Sequence, residues 1–396
     1  MTGDGVPERH WATRIGRSVL VLAPHVVALT RLEDLIPLIE TDHRVQRVYA
    51  IPDDGEDRPD SGDLVRAHDG ILLPVRHAGQ STHGLVLAGS TRGLDDVRGP
   101  VLLVPHGGGF GQYRSGELVT GFDPTQLMRG GRVRAERIVL THVRELDLLA
   151  ELCPQAVPQA LIAGDIAFDR LVASAPHRDH YRGKLGVRPG QALVVVTSSW
   201  SPRSSFGVDG DLFRRVAEAA RGEGVRVVAS LHPQIWSHHG SGQVRGWLSP
   251  AVKAGLDVLA PHTDWRGAVV AADYLMADYT SVRSFAAGIG TPVLRLPHGP
   301  QPLLPGTPAA VLAEHTPLWD GTRPLLPQLD AARDGQCHGF GAHIAGLLTS
   351  RPGQAGKILR KAMYDLLGLT EPTQALPLPP APLPQLLPRP TPRPEE

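Results

Sequence analysis

Short runs of apolar residues alternate with segments of helical period along most of the chain. The apolar runs form a first series over 18–23, 46–51, 84–88, 101–105, 137–141 and 158–163, and a second series over 192–198, 225–231, 256–260, 273–277 and 292–296. Helical periodicity lies between them, for example over 29–41, 209–222 and 280–289. Strands that are apolar throughout are typical of parallel sheets covered by helices on both faces. The pattern therefore predicts an α/β protein with two doubly wound sheets.

The two series predict two domains, as the length of 396 residues also favours. We expect a Rossmann-like N-terminal domain over 1–171 and a second Rossmann-like domain over 192–350. The polar, Gly- and Pro-containing segment 172–191 is predicted to be a linker. A helix within 351–370 could cross back over the junction between the domains.

The C-terminal segment 371–396 has a different composition, because 10 of its 26 residues are Pro. Proline removes backbone donors and favours extended conformations, so this tail is predicted to be disordered or polyproline-II-like. Its PxxP spacings could contact an SH3-type partner.

Charge and cysteine content narrow the functional classes. The formal net charge is zero, which gives no support to a nucleic-acid-binding surface or a polybasic membrane anchor. Cys153 and Cys337 are far apart, which argues against a disulfide framework or a zinc knuckle. No apolar stretch is long enough for a membrane span, and the start of the chain has no signal-peptide core. We therefore expect a soluble, cytoplasmic protein without a transmembrane segment.

Several familiar sequence motifs are missing. The chain has no GxxxxGK[ST] P-loop, no GxGxxG dinucleotide fingerprint, no HExxH zinc motif and no GxSxG nucleophile elbow. P-loop nucleotide hydrolysis, zinc proteolysis and serine-hydrolase chemistry are therefore not expected.

Two candidate sites follow strands of the first series, at the sheet edge where α/β proteins bind ligands. His106 follows the run 101–105 directly and precedes Gly107 and Gly108. A histidine there could act as a general base on a hydroxyl group, or it could simply cap a turn. Gly164 and Asp165 follow the run 158–163, where Asp165 could cap the next helix or face a ligand.

Two further candidates follow strands of the second series. His232 follows the run 225–231 and could donate to a phosphate oxygen, although a buried structural histidine is an equal alternative. Asp278 ends the run 273–277, and Thr280 and Ser281 stand where the next helix should begin. Unpaired N–H groups and hydroxyls at a helix start can hold a phosphate, but ordinary helix capping is the alternative. Asp278 could accept hydrogen bonds from a ribose or from nearby backbone N–H groups.

Taken together, these segments resemble the CDP-glycerol glycerophosphotransferases of teichoic-acid synthesis and the wider GT-B glycosyltransferase class. The similar segments are PHGGGFGQYR (105–114), AGDIAFDRL (163–171), TSSW (197–200), LHPQ (231–234) and ADYTSVRSFAAGIGTPVL (277–294). Asp165 stands where that family has Asn, and Thr280 replaces the first of two Ser residues.

The resemblance implies a GT-B-like fold, with two Rossmann-like domains facing a cleft. It implies His106 as the base that deprotonates the acceptor, and His232, Thr280 and Ser281 as ligands of the donor diphosphate. The nucleotide-diphosphate donor, of CDP or UDP type, would be a co-substrate, with no bound cofactor and no metal. A role in cell-envelope biosynthesis is implied too, although the acceptor is left open.

Two other functions stay open at this stage. A UDP-sugar 2-epimerase is an isomerase on the same fold, and a binding or scaffold protein could keep the fold without catalysis. Nucleotide binding and turnover would separate these alternatives from a transferase.

Overall fold

The computed structural model describes residues 16–52, 59–67, 69–105, 112–114, 117–336, 338–374 and 377–389. The chain forms two compact units. Unit 1 comprises Met1–Arg170 and Leu348–Pro379, and unit 2 comprises Leu171–Leu347 and Pro380–Glu396. The chain thus leaves unit 1, returns to it near its C-terminal end, and finishes in unit 2.

Unit 1 is built on a seven-stranded parallel sheet with the order β11-β10-β5-β4-β1-β2-β3. Its strands are β1 (Arg17–Leu22), β2 (Val45–Ile51), β3 (Leu72–Pro74), β4 (Leu85–Ala88), β5 (Val101–Leu103), β10 (Arg137–Leu140) and β11 (Ala160–Ile162). Two small antiparallel pairs are inserted between β5 and β10: β6 (Gln112–Arg114) with β7 (Glu117–Val119), and β8 (Met128–Arg129) with β9 (Arg132–Val133). The helices are α1 (Val26–Glu33), α2 (Pro59–Ala67), α3 (Val75–Ala78), α4 (Pro124–Leu127), α5 (Arg144–Leu152), α6 (Ile166–Ser174) and α17 (Ala355–Leu367), with 3-10 turns at Ile36–Leu38, Leu94–Asp96 and Pro154–Gln159.

The returning segment is part of the core of unit 1. On α17, Leu359 and Met363 pack in one apolar cluster with Val19 and Val21 of β1. The buried carboxylate of Asp169 on α6 holds the start of this helix by accepting from two backbone N–H groups, at 2.7 and 2.9 Å.

Unit 2 is built on a five-stranded parallel sheet with the order β14-β13-β12-β15-β16. Its strands are β12 (Ala192–Ser198), β13 (Val225–Leu231), β14 (Asp257–Val258), β15 (Tyr274–Ala277) and β16 (Val293–Arg295). Its helices are α7 (Arg178–Lys184), α8 (Ser205–Val208), α9 (Leu212–Ala219), α10 (Pro233–His239), α11 (Ser241–Lys253), α12 (Trp265–Ala271), α13 (Val282–Gly288), α14 (Pro308–His315), α15 (Leu325–Gly335) and α16 (Phe340–Leu348), with a 3-10 turn at Ala175–His177. The two parallel α/β sheets confirm the predicted fold class.

The segment predicted to be a linker contains a packed helix. Arg178 and Arg182 of α7 donate to the carboxylate of Asp273, at 2.6 and 2.9 Å, and Tyr181 is buried. All residues between 172 and 191 belong to unit 2 and include the helix α7.

The described residues of the Pro-rich tail form no helix, but several of them make specific contacts. In unit 1, Arg170 donates to the carbonyl of Pro379 at 3.2 Å. In unit 2, the N–H of Ala381 donates to Ser174 at 2.8 Å, and Leu387 donates to the carbonyl of Val258 at 2.8 Å. Residues 390–396 lie outside the described residues. In the part of the chain that the structure describes, no helix combines the length and the apolar character that crossing a bilayer requires.

Candidate functional site

The predicted site residues fall in three places. His106, Gly107 and Gly108 lie outside the described residues, so the roles assigned to them stay predictions. Gly164 lies in unit 1, whereas His232, Asp278, Thr280 and Ser281 lie in unit 2, and the structure brings this second group together at one edge of the unit 2 sheet.

The Gly164–Asp165 turn has a structural explanation within unit 1. One oxygen of the buried Asp165 carboxylate accepts from Arg31 at 2.8 Å and from two backbone N–H groups in the first turn of α6, at 2.8 and 3.0 Å. Gly164 has φ +90, and a Cβ there would lie 2.8 Å from the hydroxyl oxygen of Thr349. Helix capping and close backbone packing therefore account for this motif, and a ligand role for Gly164 stays a prediction.

In unit 2, strand register places three polar segments side by side. β12 lies between β13 and β15, with Ser198 paired to Leu231 and Thr197 paired to Ala277. His232 and Asp278 are the next residues along their strands. The loops that follow β13, β12 and β15 therefore leave the same carboxyl edge of the sheet, where open α/β sheets bind ligands.

The carboxylate of Asp278 organises the loop that follows β12. Its side chain is buried, and its oxygens accept from the Ser198 hydroxyl at 2.9 Å, from the Ser199 N–H at 2.9 and 3.0 Å, from the Ser205 N–H at 3.0 Å and from the Thr280 N–H at 3.1 Å. A buried anion needs such donors to offset its lost hydration. Asp278 was predicted to accept hydrogen bonds either from a ribose or from nearby backbone N–H groups. The contacts in the structure are of the second kind, with one serine hydroxyl in addition.

A buried arginine adds a compensating charge beneath this loop. Arg283 of α13 is 1% exposed and donates to the carbonyl of Ala309 at 3.2 Å. Burial lowers the pKa of its guanidinium to about 10, while the nearby Asp278 carboxylate opposes that change. Arg283 is therefore still charged at neutral pH, close to the Asp278 carboxylate.

The helix that follows Asp278 begins slightly later than predicted. The helix α13 starts at Val282, and its N-cap, Ser281, makes no capping hydrogen bond with its side chain. The buried Thr280 hydroxyl accepts from the Val282 N–H at 3.5 Å, at the limit for a hydrogen bond. Ser281 is exposed, and its hydroxyl has no hydrogen-bond partner among the residues that the structure describes. Capping therefore does not explain Ser281, whose hydroxyl is available to a ligand.

His232 presents a neutral imidazole at the same edge. Its Nδ1 accepts from the Gln234 N–H at 3.2 Å, where His232 is the N-cap of α10, and this assigns the proton to Nε2. Burial lowers the pKa of His232 to about 4, and the charge of His238 acts in the same direction. At neutral pH the ring is therefore uncharged and its Nε2 is a hydrogen-bond donor.

The loop after β12 is also attached to the loops after β15 and β16. Ser201 is hydrogen-bonded to the Tyr279 hydroxyl, and the Tyr279 ring meets His298 edge-on at 5.1 Å. The Gly299 N–H donates to the Arg203 carbonyl at 2.8 Å. In the sequence, TSSW is only a segment of the family resemblance, and these attachments are not predicted from it. The feature of the sequence that could have indicated them is the pair of serines, Ser198 and Ser199, at the end of an apolar strand.

The sequence comparisons assign no family. No family model matches the chain, and no curated protein matches it significantly.

Solved structures do match. A variant of the wall teichoic acid polymerase TagF aligns with a TM-score of 0.56 and 11% identity, covering 89% of each chain. MnaA from S. aureus, solved with UDP, aligns with a TM-score of 0.51 and 11% identity, covering 91% of this chain and 99% of that one. The UDP-GlcNAc 2-epimerase from Neisseria meningitidis, bound to UDP-GlcNAc, aligns with a TM-score of 0.52 and 12% identity, covering 89% and 99%.

These likenesses show the fold. The matches extend over about nine tenths of the chain, so both α/β units are included. The chain therefore has a GT-B-like fold, as the resemblance in its sequence implied. At identities of 11–12% the likeness carries no activity with it, and function is argued from the site.

Proposed function

We propose that this protein is a GT-B-like transferase that moves a glycosyl or glycerophosphoryl group from a nucleotide-diphosphate donor, of CDP or UDP type, to an acceptor hydroxyl. The observation that carries the proposal is the pair of uncommitted donors at one sheet edge, the exposed Ser281 hydroxyl and the neutral His232 Nε2–H. They lie after β15 and β13, on either side of the end of β12. Similar structures support this reading, because one TagF variant was soaked with CDPG and MnaA was solved with UDP.

The donor diphosphate accepts hydrogen bonds from the Ser281 hydroxyl and from the His232 Nε2–H. Fixed donors of this kind stabilise the negative charge that develops on a departing nucleotide. Thr280 contributes its hydroxyl, which accepts from the Val282 N–H and keeps its own proton to donate, and Asp278 acts by holding the loops in place.

His106 acts as the general base in this mechanism. It takes the proton of the acceptor hydroxyl while that oxygen forms a bond to the transferred group. The bond between that group and the nucleotide breaks at the same centre, and the nucleotide leaves with the electron pair. A His106→Ala variant that transferred at the wild-type rate with saturating donor would exclude this role.

An isomerase is the second candidate, because one of the similar structures is a UDP-GlcNAc 2-epimerase bound to UDP-GlcNAc, and it aligns at nearly the same TM-score as the TagF variant. A UDP-sugar 2-epimerase would use the same diphosphate ligands but invert one sugar carbon and consume no acceptor. A protein that binds nucleotide without turnover is the non-catalytic alternative.

Calorimetry with UDP and CDP tests the donor site. We expect saturable binding to the wild-type protein and about tenfold weaker binding to Ser281→Ala, as expected for the loss of a hydrogen bond to a charged group. Ser241→Ala is the matched control, because Ser241 is also an exposed serine at the start of a helix of unit 2. Absence of binding to the wild type, or equal binding to both serine variants, would contradict the proposed site.

Product analysis separates the two activities. Incubation with CDP-glycerol or UDP-GlcNAc and a hydroxyl acceptor should release nucleotide in step with acceptor modification if the protein is a transferase. Formation of the 2-epimer without acceptor consumption identifies the isomerase. Nucleotide binding with neither product identifies the non-catalytic alternative.

A further inference from the structure

An exposed tryptophan lies beside His232, one of the proposed diphosphate ligands. Trp200 directly follows the two serines at the end of β12, and 43% of it is exposed. Its indole stacks on the His238 imidazole, with centroids 5.8 Å apart and planes inclined by 20°. The His232 ring lies 6.4 Å away at 35°. Trp200 therefore extends an aromatic surface from the histidine that the proposed function assigns to the diphosphate.

The loop that carries Trp200 is fixed at both ends. Ser199, the preceding residue, and Ser205, at the start of α8, both donate from the backbone to the buried Asp278 carboxylate. Ser201, the following residue, is hydrogen-bonded to Tyr279. The indole is therefore presented in a defined position by a preorganised loop, as expected for a ligand contact.

Trp200 is far more exposed than the two tryptophans that belong to the core of unit 2. Trp236 and Trp319 are 4% and 3% exposed and belong to the apolar core of the unit. Trp200 is not part of that core, and its ring leaves apolar area exposed next to the His232 imidazole. A flat aromatic group linked to a phosphate suits this arrangement.

We infer that Trp200 is the platform on which the base of the nucleoside diphosphate stacks, with His238 supporting the indole and His232 meeting the diphosphate. This inference rests on the proposed function, because it assigns the base to a position next to the phosphates. Stacking accepts any base, since every base has a π-face. The platform therefore strengthens the binding of UDP and CDP alike, and base identity is read elsewhere.

The test compares a nucleotide with a ligand that has no base. Binding of UDP, CDP and inorganic pyrophosphate is measured by calorimetry for the wild type, Trp200→Leu and Trp200→Phe. Trp247→Leu is the matched control, because Trp247 is also 43% exposed and also contacts a histidine, His239, in the same unit. Circular dichroism confirms that each variant is folded.

We expect Trp200→Leu to bind UDP and CDP about tenfold more weakly or worse, a typical loss when a stacking ring is removed. Its affinity for pyrophosphate should equal that of the wild type. Trp200→Phe should recover part of the loss, and Trp247→Leu should behave as wild type. The wild-type tryptophan fluorescence should change on UDP binding, and this change should be missing in Trp200→Leu.

Three results would overturn the inference in distinguishable ways. If UDP binds equally well to the wild type and to Trp200→Leu, the base does not stack on Trp200, although the proposed phosphate site is not contradicted. Equal weakening of UDP and pyrophosphate means that Trp200 only supports the loop. Failure of the wild type to bind either ligand rejects the proposed function, and the platform with it.

Discussion

Acidification should weaken unit 2 through His232. The pKa of this histidine is lowered from 6.5 to about 4, mainly because burial disfavours the charged ring. Above pH 6.5 the ring is neutral in both the folded and the unfolded chain, so it imposes no cost. Between pH 6.5 and 4 the unfolded chain binds a proton that the folded chain does not. The free energy of unfolding must therefore fall as the pH falls through this window.

The size of the effect follows from the shift. Each pKa unit corresponds to about 1.4 kcal/mol, so the change from 6.5 to about 4 corresponds to about 3 kcal/mol lost by pH 4. Replacing His232 with Asn should remove this dependence. The Asn amide oxygen can still accept from the Gln234 N–H, because Asn is a favoured N-cap residue. The variant thus keeps the cap and loses the titrating group.

A variant comparison is required, because a second buried group acts in the opposite direction. Burial raises the pKa of Glu145 in unit 1 from 4.5 to about 7, against the backbone N–H groups of His142 and Thr141 that favour its ionised form. The unfolded carboxylate binds a proton less readily than the folded one. The free energy of unfolding of unit 1 therefore rises as the pH falls from about 7 to 4.5, and partly hides the loss in unit 2.

Urea unfolding of the wild type and His232→Asn, followed by circular dichroism between about pH 7.5 and about pH 4.5, measures the difference. His180→Asn is the control, because His180 is an exposed histidine of the same unit. We expect the variant to gain stability relative to the wild type as the pH falls, while the control runs parallel to the wild type. A difference between wild type and His232→Asn that is constant across the pH range would refute the reasoning.

Two further predictions concern unit 1 and the tail. Glu145→Gln should abolish the stabilisation of unit 1 between about pH 7 and pH 4.5 in the same urea assay, whereas Asp147→Asn on the exposed face of α5 should keep it. Truncation after Pro379 should lower the stability of unit 2 by about 2–4 kcal/mol, because several backbone hydrogen bonds of the tail are lost. Truncation after Arg389, which keeps all of these hydrogen bonds, is the reference in a thermal scan, and equal melting of both truncations would show that the docked segment is not stabilising.

The parallel strands could be predicted because burial on both faces leaves a simple pattern. The runs at 192–198 and 225–231 coincide with β12 and β13, and apolar residues predominate in both. The strand β3 was missed, since it has three residues at the edge of its sheet and ends in Pro74. The single helix predicted from the helical period over 29–41 is wrong in its extent. The helix α1 ends at Glu33, and Pro37 lies in a separate 3-10 turn.

The candidate site could be located but not assembled from the sequence. His232 and Asp278 were predicted because each follows a strand, and strand ends of one parallel sheet meet at one edge. The partners of Asp278 could not be predicted, since Ser199 and Ser205 precede it by 79 and 73 residues. Whether Ser281 caps its helix depends on backbone angles that the sequence leaves undetermined. The sequence alone therefore does not show that Asp278 is a buried carboxylate that holds the loops, or that the Ser281 hydroxyl is available to a ligand.

The Pro-rich tail joins unit 2 mainly through residues that are not proline. Proline cannot donate to a ladder, but an edge strand needs only alternate hydrogen bonds. Leu387 donates to the carbonyl of Val258, and the Gln385 carbonyl accepts from Ala260, both at 2.8 Å, so the tail runs antiparallel along the β14 edge. Arg389 adds two hydrogen bonds to Asp257, 132 residues away along the chain. The proline content of the tail does not predict this docking. Docking depends on which tail residues place their N–H and C=O groups opposite β14, and this can be seen only in the folded structure.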